Sequence, residues 1–157
     1  MSIQTAATTD AVAEAPSPEA ITETYVATWN ETDPARRRAG IAAAWAEAAT
    51  TRDPVRTSDG PAEIDVLLAG VQARFPGFVL KRTSRVDAHN GPQGRSGGGY
   101  VRFTWSLGPA SGPSVVEGVD FCAESGRRLK PTRSIDGWAS AKSPPPGRSP
   151  GQAAASA

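Results

Sequence analysis

The hydrophobic period of this chain changes once, near Phe78, and that change limits what it can fold into. Before it, large apolar residues recur at helical spacing; after it, they alternate. Ser17-Pro18 is a helix start, with serine as N-cap and proline where no hydrogen bond is lost. Ile21, Tyr25 and Trp29 then share one face, with Thr28 beside them. Asp33-Pro34 repeats the signal, and Ile41, Ala44, Trp45 and Ala48 predict a buried stripe on a second helix running to about Ala48. Arg36, Arg37 and Arg38 oppose the dipole of its first turns, so they are expected to face solvent or a local acid. Thr50 to Val55 reads as a short extended piece stopped by Pro54. A third helix follows from Asp59-Gly60-Pro61, with Ile64, Leu67, Leu68 and Val71 on its face, and Phe75-Pro76-Gly77 ends it.

Four strands are expected beyond that point. Phe78 to Val86 is the first, and Tyr100 to Leu107 the second, with Val101, Phe103, Trp105 and Leu107 on one face. Val115 to Cys122 is apolar on both faces, so it belongs inside the sheet. Arg127 to Ile135 is a weaker fourth, joined to the third through Glu124-Ser125-Gly126. Asn90 to Gly99 is a Gly-rich loop, without the lysine and following helix that a phosphate loop needs. Three helices followed by an antiparallel meander make an α+β domain. Residues 1–16 read as a disordered leader, 17–138 as the domain, and 139–157 as a disordered Pro-, Ala- and Ser-rich tail.

Composition closes several classes of function. The net charge is +1, and no basic stripe interleaves with aromatics, so a nucleic-acid partner is not expected. One cysteine, Cys122, and one histidine, His89, rule out a disulfide framework within the chain and any site built on several cysteines or histidines. No metal or other cofactor is expected. No apolar run is long enough to span a bilayer, and no signal-like start precedes Asp10, so a cytoplasmic protein without membrane contact is the expectation.

Ordered strings along residues 18–138 resemble the SnoaL-like proteins of the NTF2-like superfamily. They begin with Tyr25-Val26-Ala27-Thr28-Trp29-Asn30 leading to Asp33-Pro34, and continue with Ala44-Trp45-Ala46-Glu47 and Asp53-Pro54. Arg74-Phe75-Pro76-Gly77, Val86-Asp87-Ala88-His89, Val101-Arg102-Phe103-Thr104-Trp105 and Gly118-Val119-Asp120-Phe121 follow in the expected order. The resemblance implies an NTF2-like (cystatin-like) cone, with three N-terminal helices packed on a curved antiparallel sheet. It also implies a pocket for a small apolar molecule and a homodimer made through the sheet. The superfamily includes ketosteroid isomerases, polyketide cyclases and members without chemistry, so the fold does not dictate a reaction.

Three residues match the isomerase pattern. By that resemblance Asp53 would be the base that moves a proton between carbons. Tyr25 and a protonated Asp120 would donate hydrogen bonds to the developing enolate oxygen. Strand parity groups Asp120 with Val116, Gly118 and Cys122, a face apolar enough to keep an acid neutral. Each has a structural alternative: Tyr25 as core, Asp53 as a turn acid, and Asp120 in a salt bridge to Arg102 or Arg133. Arg52 departs from the family pattern, and if turned inward it would weaken Asp53 as a base. The ending Thr132-Arg133-Ser134-Ile135-Asp136-Gly137-Trp138 departs as well. Trp29, Trp45, Phe103 and Trp105 are expected as core or pocket wall, His89 as a solvated turn residue, and Cys122 as a small core residue.

Overall fold

The computed structural model describes residues 16–52, 56–89, 99–125 and 128–135. The helices are α1 (Pro18–Asn30), α2 (Pro34–Ala44) and α3 (Gly60–Arg74). Between α2 and α3, β1 (Thr50–Arg52) and β2 (Thr57–Asp59) form an antiparallel pair. After α3 come β3 (Phe78–Arg82), β4 (Asp87–His89), β5 (Tyr100–Pro109), β6 (Val116–Ser125) and β7 (Arg128–Ile135). They build one antiparallel sheet in the order β3-β5-β6-β7, with β4 also on β5. The helices pack against this sheet, which is strongly bent, as in an NTF2-like cone. Alternation does the sorting. Val101, Phe103, Trp105 and Leu107 of β5, with Val116, Asp120 and Cys122 of β6, are buried, and Arg102, Glu117 and Phe121 face out.

Two irregularities interrupt the sheet's ladders. Thr83–Val86 put four residues opposite only two on β5, because Arg82 pairs with Trp105 while Asp87 pairs with Arg102. The expected single strand from Phe78 to Val86 is therefore split into β3 and β4. Hydroxyls fill the break: Thr83 Oγ1 meets Thr104 Oγ1 at 2.8 Å, and Ser84 Oγ accepts the Thr104 N–H at 2.9 Å. On the other side, the β6–β7 register slips by one residue between Phe121 and Cys122. The first break lies opposite Phe103 and Thr104, and the second falls beyond Phe121, the row after the Phe103–Asp120 pair. Bulges bend a strand and increase its twist, so the acid lies where the sheet turns.

The helix starts follow the capping logic of the sequence. Ser17 Oγ accepts the Ala20 N–H at 3.2 Å, and an Asp33 carboxylate oxygen accepts the Arg36 N–H at 2.8 Å. Asn30 fastens the end of α1 to β3, accepting from the Leu80 N–H and donating to the Leu80 carbonyl, both at 2.8 Å. α2 ends at Ala44, earlier than its apolar stripe predicts, and Ala48 is exposed. The cause is tertiary: Trp45 takes an extended conformation and bridges to Leu129, whose carbonyl accepts the Ala46 N–H at 2.9 Å. β2 was not anticipated, because three residues carry too little alternation to read. Gly77 holds φ +76°, a left-handed turn that favours glycine, where α3 gives way to β3.

The arginines of α2 do find local acids. Arg37 is buried, and its Nε donates to Asp65 Oδ1 of α3 at 2.6 Å. Its guanidinium also donates to Gln72 Oε1 at 3.2 Å, while Gln72 Nε2 donates to the carbonyls of Trp29 and Glu31 at 2.9 and 2.8 Å. One buried network thus ties the end of α1 to α2 and α3. Arg37→Ala would remove the nearer of Asp65's two cations and the guanidinium bond to Gln72, at about 1–3 kcal/mol. Urea unfolding should show that loss, and should show little for Arg38→Ala, whose side chain is 60% exposed at 3.6 Å from the same carboxylate.

Candidate functional site

α1 and the inner face of the sheet meet at one carboxylate. Tyr25 is at the middle of α1, one turn after Ile21, and is 1% exposed. Asp120 is at the middle of β6 and is 5% exposed. Tyr25 Oη donates to Asp120 Oδ2 at 2.8 Å, and Trp105 Nε1 donates to Asp120 Oδ1 at 3.0 Å. Each carboxylate oxygen thus holds a donor, one from the helix and one from the neighbouring strand. Burying such a group without partners costs several kcal/mol, which accounts for an acid within an apolar strand.

Gly118 makes the Trp105 contact geometrically possible. It faces Trp105 across the β5–β6 ladder, and a Cβ there would lie 2.4 Å from the indole Cζ2. The ring therefore lies over the glycine and reaches two residues along β6 to Asp120. Aromatic rings enclose the tyrosine as well. Trp45 stacks on it with centroids 4.4 Å apart, Phe103 meets it edge-on at 5.8 Å, and Trp29 is tilted at 6.3 Å. The four aromatic residues expected at the pocket wall thus surround Tyr25 and Asp120. Trp29 is only half-buried, while Trp45 and Phe103 are fully covered.

The salt-bridge alternative for Asp120 is corrected in part. Arg102 lies on the opposite face of β5 and pairs with Asp87 at 3.6 Å. The Arg133 side chain lies outside the described residues, and in the ladder Arg133 pairs with Phe121. Asp53 also lies outside the described residues, in the connection between β1 and β2. Its neighbour Arg52 is exposed. His89 is exposed at the end of β4, and Cys122 is fully buried, as expected. Among the described residues no group of three or more His, Cys, Asp or Glu is placed to hold a metal ion.

Sequence reasoning missed two features. The Trp105 bond to Asp120 depends on Gly118 as a seat, and only the register pairs them. Thr51 and Ser58 face each other across β1 and β2, both buried, and neither hydroxyl has a hydrogen-bond partner. That pair was invisible without β2.

Burial pushes the Tyr25 hydroxyl well above its ordinary pKa of 10.0, and the nearby Asp120 carboxylate adds to the shift. The Trp29 indole pulls weakly the other way, although its N–H does not meet hydrogen-bond geometry. Cys122 is likewise pushed well above 9.0, by burial first and then by Asp120. Both groups hold their protons more tightly when folded, so their contribution is complete below the unfolded pKa values and is lost as pH rises beyond them. Spectrophotometric titration should therefore show no tyrosinate from Tyr25 through about pH 10 until the protein unfolds. Tyr25→Phe should flatten part of the alkaline loss of stability.

No protein-family model matches the sequence, and no curated protein does. Solved structures do. A candidate isomerase of the SnoaL-like family from Agrobacterium tumefaciens is 30% identical with a TM-score of 0.60, over 70% of this chain and 88% of that one. A protein of ketosteroid-isomerase-like fold from Catenulispora acidiphila, in complex with trimethylamine, is 17% identical with a TM-score of 0.57, over 80% and 91%. A candidate ketosteroid isomerase from Kribbella flavida is 23% identical with a TM-score of 0.52, over 88% and 90%. The last two speak for the fold alone. With the bent sheet, the three helices and the ordered sequence strings in agreement, the chain belongs to the SnoaL-like family, with its NTF2-like fold.

Proposed function

We propose that this protein binds a small, largely apolar, carbonyl-bearing molecule beside Tyr25 and moves a proton on it, in the manner of an isomerase or cyclase. The observation that carries this reading is the buried Tyr25–Asp120 pair inside a cage of aromatic rings. Such a cage suits a flat apolar skeleton, and the pair supplies hydrogen bonds where a carbonyl oxygen would gain charge. Asp53, by resemblance, is the base. Its carboxylate takes a proton from the carbon next to the carbonyl. The C–H electrons form a C=C bond, and the carbonyl π pair moves onto oxygen. Tyr25 donates to that oxygen, and its own bond to Asp120 works in either direction: a protonated Asp120 can donate while Tyr25 turns its hydrogen to the ligand. The proton then returns to carbon.

The half-reaction is measurable on a simple probe, as exchange of the α-hydrogens of 1-tetralone for deuterium in D2O, followed by proton NMR. The wild type should accelerate exchange. Asp53→Asn should abolish that acceleration with the fold retained by circular dichroism, and Tyr25→Phe should reduce it by about 10²–10³-fold, as removal of one oxyanion donor does. Binding of 1-tetralone without faster exchange, unchanged by Asp53→Asn, would favour a non-catalytic ligand carrier in the same site.

The sheet's outer face supports a second copy of the chain as partner. Tyr100 and Phe121 stack there at 5.3 Å while remaining 44% and 36% exposed, and Val115 adds a further exposed apolar group. Arg102 and Glu117 flank this patch four residues apart in register, an arrangement that an antiparallel second copy complements. In sedimentation experiments, Phe121→Lys should shift a dimer to monomer; a wild-type monomer at high concentration would remove this assembly.

A further inference from the structure

Trp105 contributes to the site more than a wall. Its Nε1 donates to Asp120 Oδ1 at 3.0 Å, and its ring is seated over Gly118, where a Cβ would lie 2.4 Å from Cζ2. An indole nitrogen donates and does not accept. Oδ1 therefore serves as the acceptor, whichever charge Asp120 carries. In a neutral carboxyl group the carbonyl oxygen is the better acceptor, and the other oxygen bears the hydrogen. That other oxygen is Oδ2, 2.8 Å from Tyr25 Oη.

We infer that Trp105 is a positioning residue for Asp120: by holding Oδ1 it confines a carboxyl proton to Oδ2, so that this one proton sets the direction of the Tyr25–Asp120 bond. With Asp120 ionised, Tyr25 gives its hydrogen to Oδ2 and keeps only lone pairs, beside the Trp29 ring. With Asp120 protonated, Oδ2 donates to Tyr25 Oη, and the tyrosine hydrogen is released toward a ligand. Trp105 also favours the ionised form, because a hydrogen bond to a charged acceptor is stronger than one to a neutral acceptor. It therefore holds the reversal at a lower pH than the same site without the indole. The use of this reversal for a ligand rests on the reading above that a carbonyl sits beside Tyr25.

Among the described residues, the titratable groups facing Asp120 are Tyr25 from α1 and Cys122 on β6. Burial keeps both neutral through the range in which carboxyl groups titrate. From β5, Phe103 pairs with Asp120 in the ladder, and Arg102 points to the opposite face. From β7, Ser134 is its ladder partner, with a side chain outside the described residues.

The test begins without a ligand. The full chain is labelled with ¹³C at the aspartate carboxyl carbons and titrated by NMR from about pH 3 to 9, the Asp120 signal being assigned by Asp120→Asn. Trp105→Phe should move the Asp120 midpoint up by about one pH unit or more, as loss of one donor to a charged acceptor does. Gly118→Ala, which keeps the indole but pushes it off Asp120, should move the midpoint the same way. A purely structural role for Trp105 would change stability and leave the midpoint in place. With carbonyl-labelled 1-tetralone bound, the wild-type signal should move downfield as pH falls through that midpoint. In Asp120→Asn it should not depend on this pH range, since Trp105 on the amide oxygen turns the NH2 group to Tyr25. The inference is overturned if Asp120 titrates at the same pH in the wild type and both variants, or titrates in none of them. If the midpoint moves but 1-tetralone does not bind, the ligand reading falls and the role of Trp105 stands.

Discussion

The hydrogen bond from Tyr25 to Asp120 is the contact on which the rest of the molecule turns. It joins a helix to a strand across 95 positions in sequence, at 2.8 Å, inside a region where water does not compete. Breaking it would leave a covered carboxylate with fewer donors and a covered hydroxyl without its acceptor. Either loss costs more than the bond itself contributes, because desolvation is not recovered. The bond to Trp105 has the same character, and it exists only because residue 118 has no side chain. Helix and sheet are therefore held at this point by polar groups that an apolar core would not need. The N-terminal helices have a separate fastening in Arg37, Asp65 and Gln72, and Asn30 secures α1 to β3.

A core of this size would be simpler with leucine at position 120 and phenylalanine at position 25. The acid and the hydroxyl both raise the cost of the folded state. Proteins carry such costs where a site requires them. The two breaks in the ladder, one opposite Phe103 and one beyond Phe121, lie close to the acid and bend the sheet near it. Sheet curvature, the aromatic cage and the buried pair are then parts of one arrangement.

Much of this was legible in the sequence, for identifiable reasons. Pro18 and Pro34 each open a helix behind a capping side chain, and Pro61 lies in the first turn of the third. The alternation through Val101, Phe103, Trp105 and Leu107 is strict enough to assign the inner face, and the same parity puts Asp120 inward. What was not legible depends on contacts distant in sequence. Trp45 leaves the helix because Leu129 draws the chain into a bridge. Thr83–Val86 break a strand because hydroxyls can complete the ladder to Thr104. The pairing of Trp105 with Gly118 needs the register. Helical spacing does put Arg37, four residues before Ile41, on the buried stripe, but nothing local shows that Asp65 of α3 would meet it.

On the proposed reading, the Tyr25–Asp120 pair polarises a carbonyl held beside the aromatic rings. The most direct measurement is the ¹³C shift of the carbonyl carbon of labelled 1-tetralone bound to the protein. A downfield displacement on binding to the wild type, lost in Tyr25→Phe and reduced in Asp120→Asn, is the predicted result. A bound probe whose carbonyl signal is the same in wild type and Tyr25→Phe would contradict the account.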